Sequence, residues 1–168
     1  EAVELLSKDC LVETDDPDGK LAEMVPVQYL NSLSVPSAPP HRLLLKQGDV
    51  CILIRNLAKN EKMTNNQRIQ ILEINRYTLR VQLLVDNTIH SIPRIRFRFR
   101  LHGGSYQIQR TQFPVRLAYA LTYNKAQGQT LDKVLLDVRQ PPFSHGHLYV
   151  ALTRVTNSTN IRLFVKQE

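Results

Sequence analysis

Two short stretches in the last third of the chain carry the residue types that phosphate chemistry uses. The first is Thr122-Tyr123-Asn124-Lys125-Ala126-Gln127-Gly128-Gln129-Thr130. It is expected where a strand ends and a helix begins. In an open α/β sheet, ligands bind beyond the carboxyl ends of the strands, and free N–H groups at a helix N-terminus favour an anion. Gly128 lets backbone approach a ligand closely. Lys125 brings charge, and Thr122 and Asn124 bring short polar groups suited to phosphate oxygens. The same residues also fit a plain polar connection with a structural glycine. The second stretch is Leu148-Tyr149-Val150-Ala151-Leu152-Thr153-Arg154, a helix with Leu148, Ala151 and Leu152 on one apolar face. Arg154 falls near its end. There it is either a cation opposing the helix macrodipole or an arginine finger on a transferring phosphoryl group. A planar guanidinium that stays ionised and donates several hydrogen bonds suits the second role.

The surrounding elements must position these residues. Residues 115–122 read as a buried strand, 133–138 as a second and 160–166 as a third. Ser144 is expected to cap the helix that runs to Arg154, because serine is a favoured N-cap. That β–α–β–α–β order implies an α/β fold, a parallel sheet with covering helices. The middle of the chain has another texture. Leu43–Lys46 and Val50–Ile54 flank the turn Gln47-Gly48-Asp49. Strands are then expected at Arg68–Ile74, Thr78–Val85 and His90–Leu101, as a small antiparallel barrel or curled sheet. Upstream, 1–20 is acidic and ends in the turn Asp15-Asp16-Pro17-Asp18-Gly19. Residues 23–31 suit a short helix or strap. Residues 32–41 carry three of the nine prolines and read as a linker-like loop.

In the last middle strand Arg94, Arg96, Arg98 and Arg100 alternate with Ile95, Phe97, Phe99 and Leu101. Period 2 puts the arginines on one face. That face is either an ordinary solvated surface or one that meets phosphates, since a row of like charges repels itself. The net charge of +7 is uneven: residues 86–168 hold 12 basic and 4 acidic side chains, and residues 1–85 hold 10 and 11. A basic half attracts polyanions such as nucleic acid. With 42% hydrophobic residues, the chain can pack a core. No apolar run approaches the roughly 20 residues a membrane span needs, so no membrane association is expected. Cys10 and Cys51 are too few for a disulfide framework or a zinc site and fit a reduced, intracellular setting. The chain opens on Glu1 rather than methionine, which suggests a fragment or processed product.

AYALTYNKAQGQTL followed by FSHGHLYVALTRV resembles helicase motifs V and VI of the Pif1-like, RecD-like branch of superfamily 1B, Helitron-type helicases included. Gln112-Phe113-Pro114, Ile92-Pro93-Arg94-Ile95, PPHRLLLKQGDVCILIRNL at 39–57 and the opening LLSKDC resemble the same family. The resemblance implies a RecA-like second motor lobe at 42–65 and 109–168, with a small SH3-like β-barrel inserted at 66–108, after a strap and linker at 1–41. It implies that Arg154 is the motif VI arginine reaching the γ-phosphate of ATP, and that Gly128 and Gln129 line the nucleotide cleft. Thr122, Asn124 and Lys125 would touch single-stranded DNA, with Arg94 and Arg96 beside its path. His147 stands where many relatives carry Gln, and Asn65-Asn66-Gln67 where they often carry Asn-Gly-Thr; the latter falls on a turn. A nuclear setting is implied, with mitochondria as the alternative.

The chain holds no G-x-x-x-x-G-K-[ST] phosphate loop; its one Gly-Lys pair, Gly19-Lys20, is followed by Leu21. No acidic pair closes an apolar strand to hold Mg²⁺. The expectation is that ATP and Mg²⁺ are gripped mainly by an N-terminal RecA-like lobe missing here, and that these 168 residues alone do not hydrolyse ATP. Two other readings stand beside this one: a non-catalytic module that binds single-stranded DNA, and a degenerate transposon-derived interaction domain.

Overall fold

The computed structural model describes residues 1–14, 25–100, 106–142 and 144–166. The Asp15–Gly19 turn, Leu101 and a turn expected from the sequence at Gly103-Gly104 therefore lie outside the described residues. The chain divides into two compact units, Glu1–Tyr119 and Ala120–Glu168.

The first unit is built on strands. β1 (Val3–Leu6) pairs antiparallel with β3 (Arg42–Leu45). β4 (Val50–Leu53), β5 (Arg68–Ile74), β6 (Thr78–Leu83), β7 (Ile89–Pro93) and β10 (Val115–Leu117) make a five-stranded antiparallel sheet in the order β10-β4-β5-β6-β7. β2 (Lys8–Thr14), β8 (Ile95–Arg100) and β9 (Tyr106–Gln112) make a third sheet in the order β2-β9-β8. Period-2 alternation explains the five-stranded sheet: Ile69 and Ile71 on β5, Leu79, Val81 and Leu83 on β6, and Ile92 on β7 are fully buried in one core with Leu53, Phe113 and Val115. Fully burying one such side chain contributes roughly 1.5–3 kcal/mol. A second core joins Phe97 and Phe99 of β8 to Ile108 of β9, to Ala38 and to Leu30 on the short helix α1 (Val27–Ser32).

Several expectations change here. The strand expected over His90–Leu101 is two strands in different sheets. Pro93 ends β7 because it has no N–H to give the ladder. The inward parity then switches, from Ile92 in the first core to Phe97 and Phe99 in the second. The strands flanking Gly48 do not pair with each other; β3 joins β1 and β4 joins β5 and β10. Gly48 takes φ 89°, and the Asp49 carboxylate accepts from the Lys46 amide at 2.9 Å, which turns the chain out of one sheet into the other. β10, expected in a parallel sheet with the C-terminal strands, runs antiparallel to β4 instead. Its Val115 is buried beside Leu53, and the amide of Ala118 extends the ladder to the Val50 carbonyl. Residues 32–41 are not a loose linker: Ala38 and Pro39 are buried. Asn66 takes φ 67° and keeps the turn, since asparagine tolerates the left-handed region better than most residues.

What cinches that proline-rich segment is a buried ion pair that the sequence did not announce. Arg110, wholly buried on β9, meets both oxygens of Asp9 on the neighbouring β2, at 2.7–3.0 Å. Its terminal nitrogens also donate to the carbonyls of Leu30, Leu33 and Pro39. Gln112, two residues along the same inward face, donates to the carbonyls of Leu5 and His41 and accepts from the Phe113 amide. Polar side chains thus occupy inward positions because the segments beneath present backbone carbonyls that need donors.

The second unit holds α2 (Tyr123–Ala126), β11 (Val134–Asp137), α3 (His147–Leu152), a 3-10 turn at Ser158–Asn160 and β12 (Ile161–Phe164). β11 and β12 pair in parallel, Val134 against Ile161 through Asp137 against Phe164. Gly146, in a left-handed conformation, is the N-cap of α3 rather than Ser144, so that helix starts two residues later than expected. Among the described residues no helix is long and apolar enough to cross a membrane.

Candidate phosphate and nucleic-acid site

The residues singled out in the second unit come together around α2 and the end of α3. Thr122 is extended, and its carbonyl accepts from the amides of Lys125 and Ala126, both at 3.0 Å. Thr122 and Asn124 are exposed and Lys125 is half-buried. The helix spans only Tyr123–Ala126. Gly128, with φ 77°, comes after it rather than before it. This corrects the expected geometry: the glycine stops the helix in a left-handed conformation that costs other residues roughly 1–2 kcal/mol, and it does not open a helix N-terminus toward a ligand. A Cβ at this position would meet nothing within 4 Å, so the conformation and not lack of space calls for glycine. Gln129 closes the bend from within, its amide donating to the Ala126 carbonyl at 3.1 Å and its side chain to the Lys125 carbonyl at 2.9 Å.

Arg154 reaches this bend. Its Nε donates to the Val150 carbonyl at 2.7 Å, one terminal nitrogen to the Gln129 carbonyl at 3.1 Å, and the other to the Thr153 hydroxyl at 2.9 Å. The Arg154 carbonyl in turn accepts from the Leu131 amide at 2.8 Å. The arginine and the glycine bend therefore lie on the same side of the unit and are tied to each other. Each terminal nitrogen of a guanidinium carries two protons, so each keeps one beyond these bonds. Beside them the Tyr123 ring stacks on His147, centroids 5.3 Å apart. His147 thus has an aromatic partner at the position where the family pattern often has Gln. Of the apolar face read on this helix, only Ala151 is buried; Leu148 and Leu152 are exposed.

The arginine row of the first unit divides. Arg96, Arg98 and Arg100 are exposed on one face of β8, with Phe97 and Phe99 on the other. Arg94 does not join them. It donates to the Leu6 carbonyl at 2.7 Å and to Gln112 at 3.0 Å, and its guanidinium lies 4.6 Å from the Phe113 ring centre. Burial lowers its pKa from the usual arginine value. A Ser–His–Asp trio also occurs, Ser7 donating to Asp9 at 2.6 Å and meeting His41 Nδ1 at 2.7 Å. In a nucleophilic triad the imidazole stands between hydroxyl and carboxylate. Here the serine stands between them and Asp9 is committed to Arg110, so the trio is a structural link. Among the described residues no three His, Cys, Asp or Glu side chains gather as metal ligands would.

The family model described as "DNA helicase Pif1, 2B domain" matches residues 28–74. The ATP-dependent DNA helicase PIF1 of Danio rerio is 31% identical over 157 residues, 91% of this chain. The chain belongs to the Pif1-like helicases. It spans 23% of the length of that relative. Its fold is that of solved Pif1 helicases. The Candida albicans enzyme matches with a TM-score of 0.67 at 22% identity, covering 99% of this chain and 40% of that one. A Bacteroides Pif1 helicase in complex with ADP-AlF3 and single-stranded DNA matches with a TM-score of 0.65 at 20% identity, covering 99% and 37%. The 2B match begins upstream, takes in β3, β4 and β5, and overlaps the insert expected at 66–108 over 66–74. Strand pairing likewise ties β4 to β5 and β10, across both ends of that expected insert.

Proposed function

We propose that this Pif1-like chain serves an ATP-dependent DNA helicase as its second, RecA-like motor lobe with an SH3-like insert. The phosphate loop and Mg²⁺ ligands then belong to a first lobe outside these 168 residues, and the chain alone is catalytically silent. The observation that carries this reading is the bond from Arg154 to the Gln129 carbonyl, which joins the motif VI arginine to the Gly128 bend of motif V. ATP, bound between the lobes, supplies the phosphoryl group whose transfer drives the motor. Arg154 keeps two N–H groups for the charge that develops on it. Gly128 and Gln129 present backbone to the nucleotide. Thr122, Asn124 and Lys125, on the exposed side of α2 and its entry, contact the phosphates of single-stranded DNA, and Arg96 adds DNA-facing charge from β8. Arg94 is left out of this set because its guanidinium is engaged by Leu6, Gln112 and Phe113.

Arg154→Ala in the intact enzyme is the test. An arginine finger is worth about 10³–10⁵ in rate, so ATPase and unwinding should fall by at least about three orders of magnitude while single-strand binding stays near wild type. Retained unwinding removes the finger assignment.

A further inference from the structure

Both ring nitrogens of His90 meet polar partners, and the two contacts together fix its charge. His90 is half-buried on β7, opposite Val81 of β6. Its Nδ1 lies 3.1 Å from a Glu61 carboxylate oxygen, and its Nε2 lies 3.0 Å from the Thr88 hydroxyl. A carboxylate only accepts, so Nδ1 must carry a proton; two lone pairs at that distance would repel. The Thr88 hydroxyl has one proton and gives it to the Asp86 carboxylate at 2.7 Å. Nε2 must therefore donate as well. Hydrogen bonds from Thr88 hold the Asp86 pKa down to about 2, so Asp86 stays an acceptor across the neutral range. Only the imidazolium satisfies Glu61 and Thr88 at once. His41 differs. Its Nδ1 meets the Ser7 hydroxyl, whose own proton goes to Asp9, so a single ring proton completes that bond.

The groups around His90 come from two segments. Glu61 and Lys62 belong to the loop that the Met63 amide closes on the Ala58 carbonyl, and Asp86 and Thr88 to the turn from β6 to β7. Lys62 pairs with Asp86 at 3.1 Å, which joins loop and turn a second time. Charged groups gather around His90 from both segments, Glu61 and Lys62 from the loop and Asp86 from the turn, while β6 sets apolar Val81 opposite it. Lys62 at φ 57° and Asn87 at φ 60° take left-handed backbone that disfavours a side chain. Loop and turn each hold a strained residue beside the contacts that join them.

We propose that His90 is a proton-operated latch: charged, it ties the 58–63 loop to the β6–β7 turn, and neutral, it releases the loop. Losing one ring proton leaves Glu61 facing a bare Nδ1, or turns the Thr88 hydroxyl from Asp86 to Nε2. Either way one tie between the segments is lost. A tie made by the charged form is complete at low pH and disappears as the pH rises. An imidazole makes that change between about pH 5 and 8. The latch is independent of the motor role proposed above.

The test is amide hydrogen exchange in the intact protein, corrected for the chemical exchange rate and read over residues 56–66 and 84–90 at about pH 5.5 and about pH 8. A partly exposed ion pair shifts opening by up to about fivefold, so protection of the loop should fall about two- to fivefold from the lower pH to the higher. His90→Gln, which cannot titrate, should remove that dependence. Glu61→Gln should remove it too, because an amide can donate to a bare Nδ1 as well as accept from a protonated one. Glu61 is mostly exposed, so its replacement keeps the test open if His90→Gln does not fold. His41→Gln should keep the wild-type dependence. Equal loop protection at the two pH values in the wild type, a fall that survives Glu61→Gln, or a fall abolished by His41→Gln overturns the proposal.

Discussion

Two arginines, one in each unit, differ in how far their donors are used up, and the difference bears on the catalytic role proposed for one of them. Arg110 lies inside the first unit with no solvent exposure, and all its nitrogens are committed, to Asp9 and to three backbone carbonyls. Arg154 lies half-buried in the second unit and makes one hydrogen bond from each nitrogen, which leaves a proton on each terminal one. A saturated guanidinium can only hold its surroundings together. An unsaturated one, fixed in place by its first bonds, keeps donors beyond them and has little reorganisation left to make. In this Pif1-like chain the difference sets the scaffold arginine apart from the one proposed for the site.

The sharpest way to break the contrast is to measure both functions on both variants. Arg154→Ala should cost at least about three orders of magnitude in ATPase and little in thermal stability. Arg110→Ala should do the reverse. It leaves the Asp9 carboxylate buried without its cation, a loss of about 3–5 kcal/mol, read as a lower denaturant midpoint. Replacing both partners, Asp9→Leu with Arg110→Met, should recover part of that loss. Full recovery is not expected, because the carbonyls of Leu30, Leu33 and Pro39 lose their donor. A neutral Arg110→Ala would remove the scaffold role.

A smaller effect is expected at the bend itself. Gly128→Ala forces a Cβ into φ 77° at a cost of about 1–2 kcal/mol in the second unit. The bend should shift with it, so ATPase should fall further than stability does; a fall in stability alone would leave the bend without a catalytic part. The least change is expected from the two thiols. Burial, and then the nearby Asp49 carboxylate, push the Cys51 pKa up to about 12. Near pH 8 a thiol reagent should therefore label half-buried Cys10 and reach Cys51 only on unfolding. Because the native state holds this thiol neutral, its contribution to stability is complete below the ordinary cysteine pKa and fades as pH rises toward 12. Equal labelling of the two in the native protein would contradict the packing of the first core.

Local patterning in the sequence was enough for the strand at Arg68–Ile74, for the one expected over Thr78–Val85, which ends at Leu83, for the alternation across Ile95–Arg100 and for a strand on each side of the last helix, because periodicity is a property of neighbours along the chain. Motif spacing was enough to single out Gly128 and Arg154 and to suggest the family. Partnership is another matter, since it depends on residues far apart in the chain. Only the tertiary structure parted β7 from β8 at Pro93, sent β10 to β4, turned Arg94 away from its row and put Gly128 after its helix. Only it joined Asp9 to Arg110 across 101 positions, where an inward polar strand face looks like an error until the carbonyls beneath it are seen. And the tie from Arg154 to Gln129, 25 residues apart, became visible when the end of α3 met the bend after α2, because a hydrogen bond is decided by where two backbones arrive, which local pattern does not encode.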